Sequence, residues 1–174
     1  MRRGLMTMAA GALICAPAAG RLAQDDAQDE RDWAAEHAAR LVKSGAWRMS
    51  ATRKGPDGQP ECTEIWHFAA DGTGRIESGE ERIATTWRTE RGEGDTWLFT
   101  RSLASNGAPD CMGKTRDPAS FPREGRGVLL IFFNGGDAIL CKPTYAENPD
   151  GSLTPTHVLS EDNCWGRLAP IPAN

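Results

Sequence analysis

From Ala46 onward, no stretch of this chain carries an apolar stripe at helical spacing. Short runs rich in Trp, Ile, Thr, Phe and Val alternate with clusters of Gly, Pro, Asn and Asp, the pattern of strands joined by tight turns. The runs predict strands near 46–53, 61–69, 73–78, 82–90, 95–104, 127–134, 137–144, 153–160 and 164–168. Turns fall at Lys54–Gly58, Asp71-Gly72, Ser78-Gly79, Gly92–Gly94, Asn134–Asp137 and Asn148–Gly151, where residues that tolerate positive φ or preset a turn are concentrated. Residues 105–126, "SNGAPDCMGKTRDPASFPREGR", form the one long irregular stretch, and a loop of that length is a lid, a binding loop or a pinned edge. About eight sequential strands would leave raw edges in an open sheet. The predicted fold is therefore all-β, an up-and-down antiparallel barrel of about eight strands; the same spacing also permits a two-sheet sandwich.

Ahead of this region the periodicity is different. Between Asp29 and Ser44, Trp33, Ala34, His37, Ala38, Leu41 and Val42 recur at i, i+3, i+4 and i+7, one apolar stripe of a helix over 29–44. Asp25, Asp26, Asp29 and Glu30 stand at its start and Arg40 and Lys43 near its end, which suits the helix dipole. Gly45 sits where a left-handed cap would stop it. Residues 19–28 read as a flexible acidic segment. The opening residues, Arg2-Arg3 followed by an Ala/Leu/Ile/Met run ending in Ala16-Pro17-Ala18, read as a signal peptide over 1–18. Its apolar run is shorter than the roughly 20 residues a spanning helix needs. The expected location is periplasmic or secreted, with a single domain over 29–170.

Cleavage would remove Cys15 and leave Cys62, Cys111, Cys141 and Cys164. In an exported chain these read as two disulfides with three possible connectivities, and the absence of any Cys-x-x-Cys argues against zinc. The 20 Lys and Arg of the whole chain would fall to 18 with the loss of Arg2 and Arg3, against 24 acidic residues. An acidic protein lacks the basic footprint that nucleic acid demands.

The helix followed by Gly45-Ala46-Trp47 resembles the start of a lipocalin-type barrel, and "IWHFAADGTG", residues 65–74, resembles the second-strand hairpin of small bacterial lipocalin-like domains. The Thr-Asp-Tyr motif of classical lipocalins is absent. The resemblance implies that Trp47 closes the base of the barrel and that Arg167 packs across it. Any ligand mouth would then lie at the opposite end. Strand alternation puts Met49 and Ala51 on the face of Trp47. It also groups Trp66 with Phe68, Ile83 with Thr85 and Trp87, and Trp97 with Phe99. Residues Trp66, Phe68, Thr85, Trp87, Trp97 and Phe99 are the expected ligand-lining set, with Thr89 or Arg101 orienting a polar end. "VLLIFF", residues 128–133, is apolar on both faces, and the N-terminal helix is the expected cover for one of them. The same topology ranks the pairing of Cys141 with Cys164 and of Cys62 with Cys111 first among the three connectivities, which stay open.

Catalytic patterns are missing. There is no Gly-x-Ser-x-Gly, no His-Glu-x-x-His and no phosphate-cradling glycine loop. His37 reads as a packing residue, His67 and His157 as outward strand positions, and Glu80-Glu81 and Glu161-Asp162 as solvated turn charges. The expectation is a non-enzymatic carrier of a small hydrophobic molecule, with no cofactor. The alternative is a packed barrel whose 105–126 loop, with Lys114, Arg116, Phe121 and Arg123, engages an envelope or extracellular protein.

Overall fold

The computed structural model describes residues 33–92, 96–125, 127–156, 160 and 162–172. The expected signal peptide, the acidic segment, His157 and Glu161 lie outside the described residues. Residues 33–44 are helical (α1). Gly45 ends the helix with φ +67° and donates its N–H to the Val42 carbonyl at 2.9 Å, a cap that a side chain would strain.

Eleven strands follow. Eight of them close a single antiparallel ring: β1 (Ala46–Ala51), β2 (Thr63–Phe68), β3 (Thr73–Ser78), β4 (Glu81–Arg91), β5 (Thr96–Ser105), β7 (Val128–Phe132), β8 (Ala138–Cys141) and β11 (Cys164–Pro170). The β1–β11 pairing shuts the ring, with Trp47 opposite Pro170 and Ala51 opposite Gly166. The fold is thus a closed barrel and not a sandwich. The short β6 (Arg123–Glu124) pairs with β5 beyond the end of β7, so that β6 and β7 occupy one interrupted strand position.

The described part of the expected strand over 153–160, residues 153–156, is not part of the ring, and residues 157–159 lie outside the described residues. β10 (Leu153–Thr156) instead pairs with β9 (Thr144–Glu147) as a separate hairpin. Pro143 explains the break, because it has no N–H to continue the ladder past Cys141. The eighth barrel position is filled by 164–170, longer than the last short strand read from sequence.

One end of the barrel is filled. Trp47, Leu41, Leu98, Leu130, Leu140 and Leu168 are each 2 % exposed or less and form one cluster. α1 lies across this end. Its Leu41 carbonyl accepts the Trp47 indole N–H at 2.8 Å, its Ala34 carbonyl accepts the Thr89 hydroxyl at 2.9 Å, and Trp33 Nε1 donates to Thr96 Oγ1 at 2.9 Å. His37 is buried as a packing residue between the rings of Trp33 (4.7 Å) and Phe132 (5.0 Å). Thr96 Oγ1, which accepts the indole hydrogen, is also hydrogen-bonded to His37 Nδ1. Burial, together with the nearby Arg40 charge, holds the His37 pKa below its ordinary value of 6.5.

Two expectations are corrected by strand parity. Arg167 does not pack across Trp47: Gly166 and Leu168 face the lumen, which turns residue 167 outward. There it pairs with Asp137, Nε at 3.1 Å and Nη2 at 2.5 Å. The guanidinium at the helix end is that of Arg40, 4.0 Å over the Phe132 ring. Trp97 and Phe99 are likewise outside, because Thr96 and Leu98 are the inward pair of β5, at 1 % and 0 % exposure. The expected cover of "VLLIFF" by α1 is present on its inward face, where Phe132 lies against His37 and Arg40 and Leu130 shares a cluster with Leu41. The outer face, Leu129 and Ile131, is covered by Trp97, Ile139 and the Cys141–Cys164 bridge.

Both expected disulfides form, Cys62–Cys111 and Cys141–Cys164, and both lie at the end of the barrel remote from α1. Two such bridges suit an oxidising compartment. No helix among the described residues is long and apolar enough to cross a membrane.

Candidate functional site

The disulfide end of the barrel holds a cavity of about 570 Å³. Its floor and walls come from inward positions on the strands: Met49 and Ala51 on β1, Glu64 and Trp66 on β2, Ile76 on β3, Ile83 on β4 and Ser102 on β5. Each follows the period of two that sends alternate side chains into the lumen. Trp66 is buried and directs its indole N–H to Glu64 Oε2 at 2.7 Å. This fixes the carboxylate against the ring.

Trp165 completes the wall by breaking that period. Cys164 pairs with Cys141 and the next paired residue is Gly166 opposite Leu140, so that residue 165 is the extra residue of a bulge. Its ring turns inward, 6.3 Å from that of Trp66 at 46°. Cys164 itself packs in the outer cluster with Leu129.

The segment between β5 and β6 straps across this end. The Pro109 carbonyl accepts the N–H groups of Glu80 and Glu81 at 3.0 Å each, Asn106 bonds Arg82 N and the Glu80 carbonyl, and Cys111 is bridged to Cys62. Gly79 (φ +58°) is required at the β3–β4 turn because a Cβ there would stand 2.7 Å from the Asp110 carbonyl carbon. From the strap, Met112, Arg116, Phe121 and Arg123 face the cavity. Arg116 is anchored: its Nη1 lies 2.9 Å from Glu81 and its Nη2 3.6 Å from Asp110. Glu81 also accepts from the Ser105 hydroxyl at 2.7 Å and is fully buried. It is therefore not the solvated turn charge expected from sequence but the inner half of an ion pair that locks the strap.

Of the expected lining set, Trp66 lines this cavity. Phe68 and Trp87 pack edge to face at 5.1 Å and 82° in the filled half, and the Trp87 N–H is spent on the Thr73 carbonyl at 2.9 Å. Thr85 is buried on the same face of β4. Trp97 and Phe99 stand on the outer surface, where Arg88 covers the Phe99 ring at 4.4 Å. Thr89 is bonded to α1, and Arg101 points outward to Glu124 at 2.8 Å. His67 also faces outward, 3.0 Å from Glu77.

Met49 was expected on the inward face of β1 but not as a ligand contact, and Glu64, Ile76, Met112 and Trp165 were not anticipated as lining residues; of these, Glu64, Met49 and Ile76 belong to regular strands. These three were legible from parity once Trp66 was placed inward. Trp165 had a subtler signal, a glycine inside an apparent strand, which often marks a bulge.

The atoms of Cys62, Glu64 and Cys111 come within 4.8 Å of one another. The two sulfurs are bonded together, which removes the thiolates a metal would bind. The site offers aromatic and thioether surface with a few fixed polar groups, the ordinary chemistry of a binding pocket.

No protein-family model, characterised protein or solved structure matches the chain.

Proposed function

We propose that the protein is an exported, lipocalin-like binding protein that carries or sequesters a small, largely apolar molecule in the cavity at the disulfide end of its barrel. The observation that carries this reading is the contrast between the two ends. The helix end is packed solid around Trp47, while the far end keeps about 570 Å³ between Trp66, Trp165, Met49, Ile83 and Phe121. A barrel serving only as a scaffold has no need of that contrast. The Arg2-Arg3 leader and two disulfides support export to the periplasm or beyond.

The test is native mass spectrometry of the protein purified from its own envelope, together with titration of the apolar probe N-phenyl-1-naphthylamine. A retained small molecule, or probe fluorescence that is lost when Ala51→Trp fills the lumen, supports the reading. The absence of any retained small molecule, together with failure of the delipidated protein to bind this probe or any other small aromatic probe, overturns it.

The second reading, a strap that engages another protein, is favoured by one observation: Met112 is 50 % exposed on the strap beside Lys114. A partner co-purifying in place of a small molecule would select it. Arg116 and Phe121 are less available to such a partner, since one is paired with Glu81 and the other faces the cavity.

A further inference from the structure

We infer that the molecule this cavity takes is zwitterionic, with an ammonium at one end, a carboxylate at the other and a flat apolar body between. The inference rests on the binding-protein reading above and concerns two charges that the fold leaves over.

Four charged groups line the cavity: Arg116, Glu124, Glu64 and Arg123. Arg116 is satisfied by Glu81 and Asp110. Glu124 is satisfied by Arg101, on the outward side of the β5–β6 pair. Alternation then turns the neighbouring pair, Ser102 and Arg123, toward the lumen.

Arg123 has no ion-pair partner among the described residues. Glu64 has none either, and its only strong partner is the neutral indole N–H of Trp66. The two stand on opposite walls. Passing from β2 through β3, β4 and β5 to the position shared by β6 and β7 is four steps round an eight-stranded ring.

Glu64 is part-buried in the wall and Arg123 is exposed at the mouth, so a ligand body that covers them takes both charges out of water, which is costly unless the ligand pairs them. A ligand with one negative charge would satisfy Arg123 but cover Glu64. A cation would do the reverse, and a neutral ligand would strand both. Only a molecule with both charges, held apart by its body, completes the set. Trp66, Trp165 and Phe121 provide the faces on which a planar body would lie. An aromatic amino acid has this chemistry in its smallest form.

The experiment uses the mature, disulfide-bonded chain and four probes that share one ring system. These are tryptophan (both charges), tryptophan methyl ester (cation), N-acetyltryptophan (anion) and indole (neutral), each titrated by calorimetry alongside N-phenyl-1-naphthylamine. Tryptophan is expected to bind about tenfold or more tighter than each of the others, the usual worth of one charge-assisted hydrogen bond. Glu64→Gln is expected to erase the advantage of tryptophan over N-acetyltryptophan, and Arg123→Gln its advantage over the methyl ester. Both variants are near-isosteric, and thermal melts verify their folding.

If N-phenyl-1-naphthylamine binds but the four probes rank equally, do not bind, or are led by one with a single charge or none, the zwitterion inference is overturned while the carrier reading stands. If no probe binds, including N-phenyl-1-naphthylamine, the inference is overturned, and if the protein retains no small molecule either, the carrier reading falls with it. Should a variant not fold, the ranking on the unmodified protein decides.

Discussion

His37 and Glu81 occupy opposite ends of the barrel and illustrate two ways of burying an ionisable side chain. His37 is held neutral by burial between Trp33 and Phe132, with Arg40 adding to the effect and Glu36 opposing it. Because the folded-state pKa lies below 6.5, the native protein binds fewer protons than the unfolded chain at mildly acidic pH. The stability His37 contributes is full above pH 6.5 and declines as the pH falls from there toward the folded-state pKa. His37→Gln keeps a side-chain acceptor for Thr96 and cannot titrate, so melting temperatures measured from pH 7.5 to pH 5 should fall less steeply in this variant. Glu81 is matched by the guanidinium of Arg116. Arg116→Ala would leave the carboxylate buried without its cation, at a cost of about 3 kcal/mol, the lower part of the range for such losses because Arg116 is a third open to water. Urea unfolding measures it, and Glu81→Gln combined with Arg116→Ala should recover part of the loss.

At the scale of elements, the strap is tied to the barrel by covalent, ionic and backbone contacts, whereas β9 and β10 pair with each other outside the barrel ring. Replacing Cys62 and Cys111 together by Ser should cost about 2–4 kcal/mol by the loop-closure argument. It should also speed entry of N-phenyl-1-naphthylamine, read by stopped-flow fluorescence, because the same bridge ties the strap to the cavity rim. Much of this layer was legible in the sequence. Turn chemistry at Asp71-Gly72 and Ser78-Gly79 delimits β2, β3 and β4, and the change of period at Gly45 separates helix from barrel. Strand order ranked the observed cysteine pairing first. The misreadings share one cause, which is that alternation gives two faces without saying which is inside. On β5 the larger aromatics, Trp97 and Phe99, suggested the lumen, but Leu98 is the residue of the right size to fill the end already occupied by Trp47 and Leu130. Arg167 failed for the same reason, flanked as it is by inward Gly166 and Leu168. Glu81 was illegible because its cation lies 35 residues away on an irregular segment.

For the whole molecule, the ring of hydrogen bonds should make opening cooperative. Amides of β1, β2, β8 and β11 are expected to exchange with solvent roughly a hundredfold or more slower than those of β9 and β10, since a two-stranded hairpin is marginal by itself. Hydrogen-exchange mass spectrometry on disulfide-intact protein measures the difference. The β1–β11 seam has a further consequence for how the chain must be made. β1 begins at Ala46 but meets one of its two neighbours only when Cys164–Pro170 has been synthesised. Until then every growing intermediate is a sheet with two unpaired borders, the geometry most prone to sticking to other chains. Completion of the barrel therefore waits for β11, and any product that stops before it carries the hazard permanently.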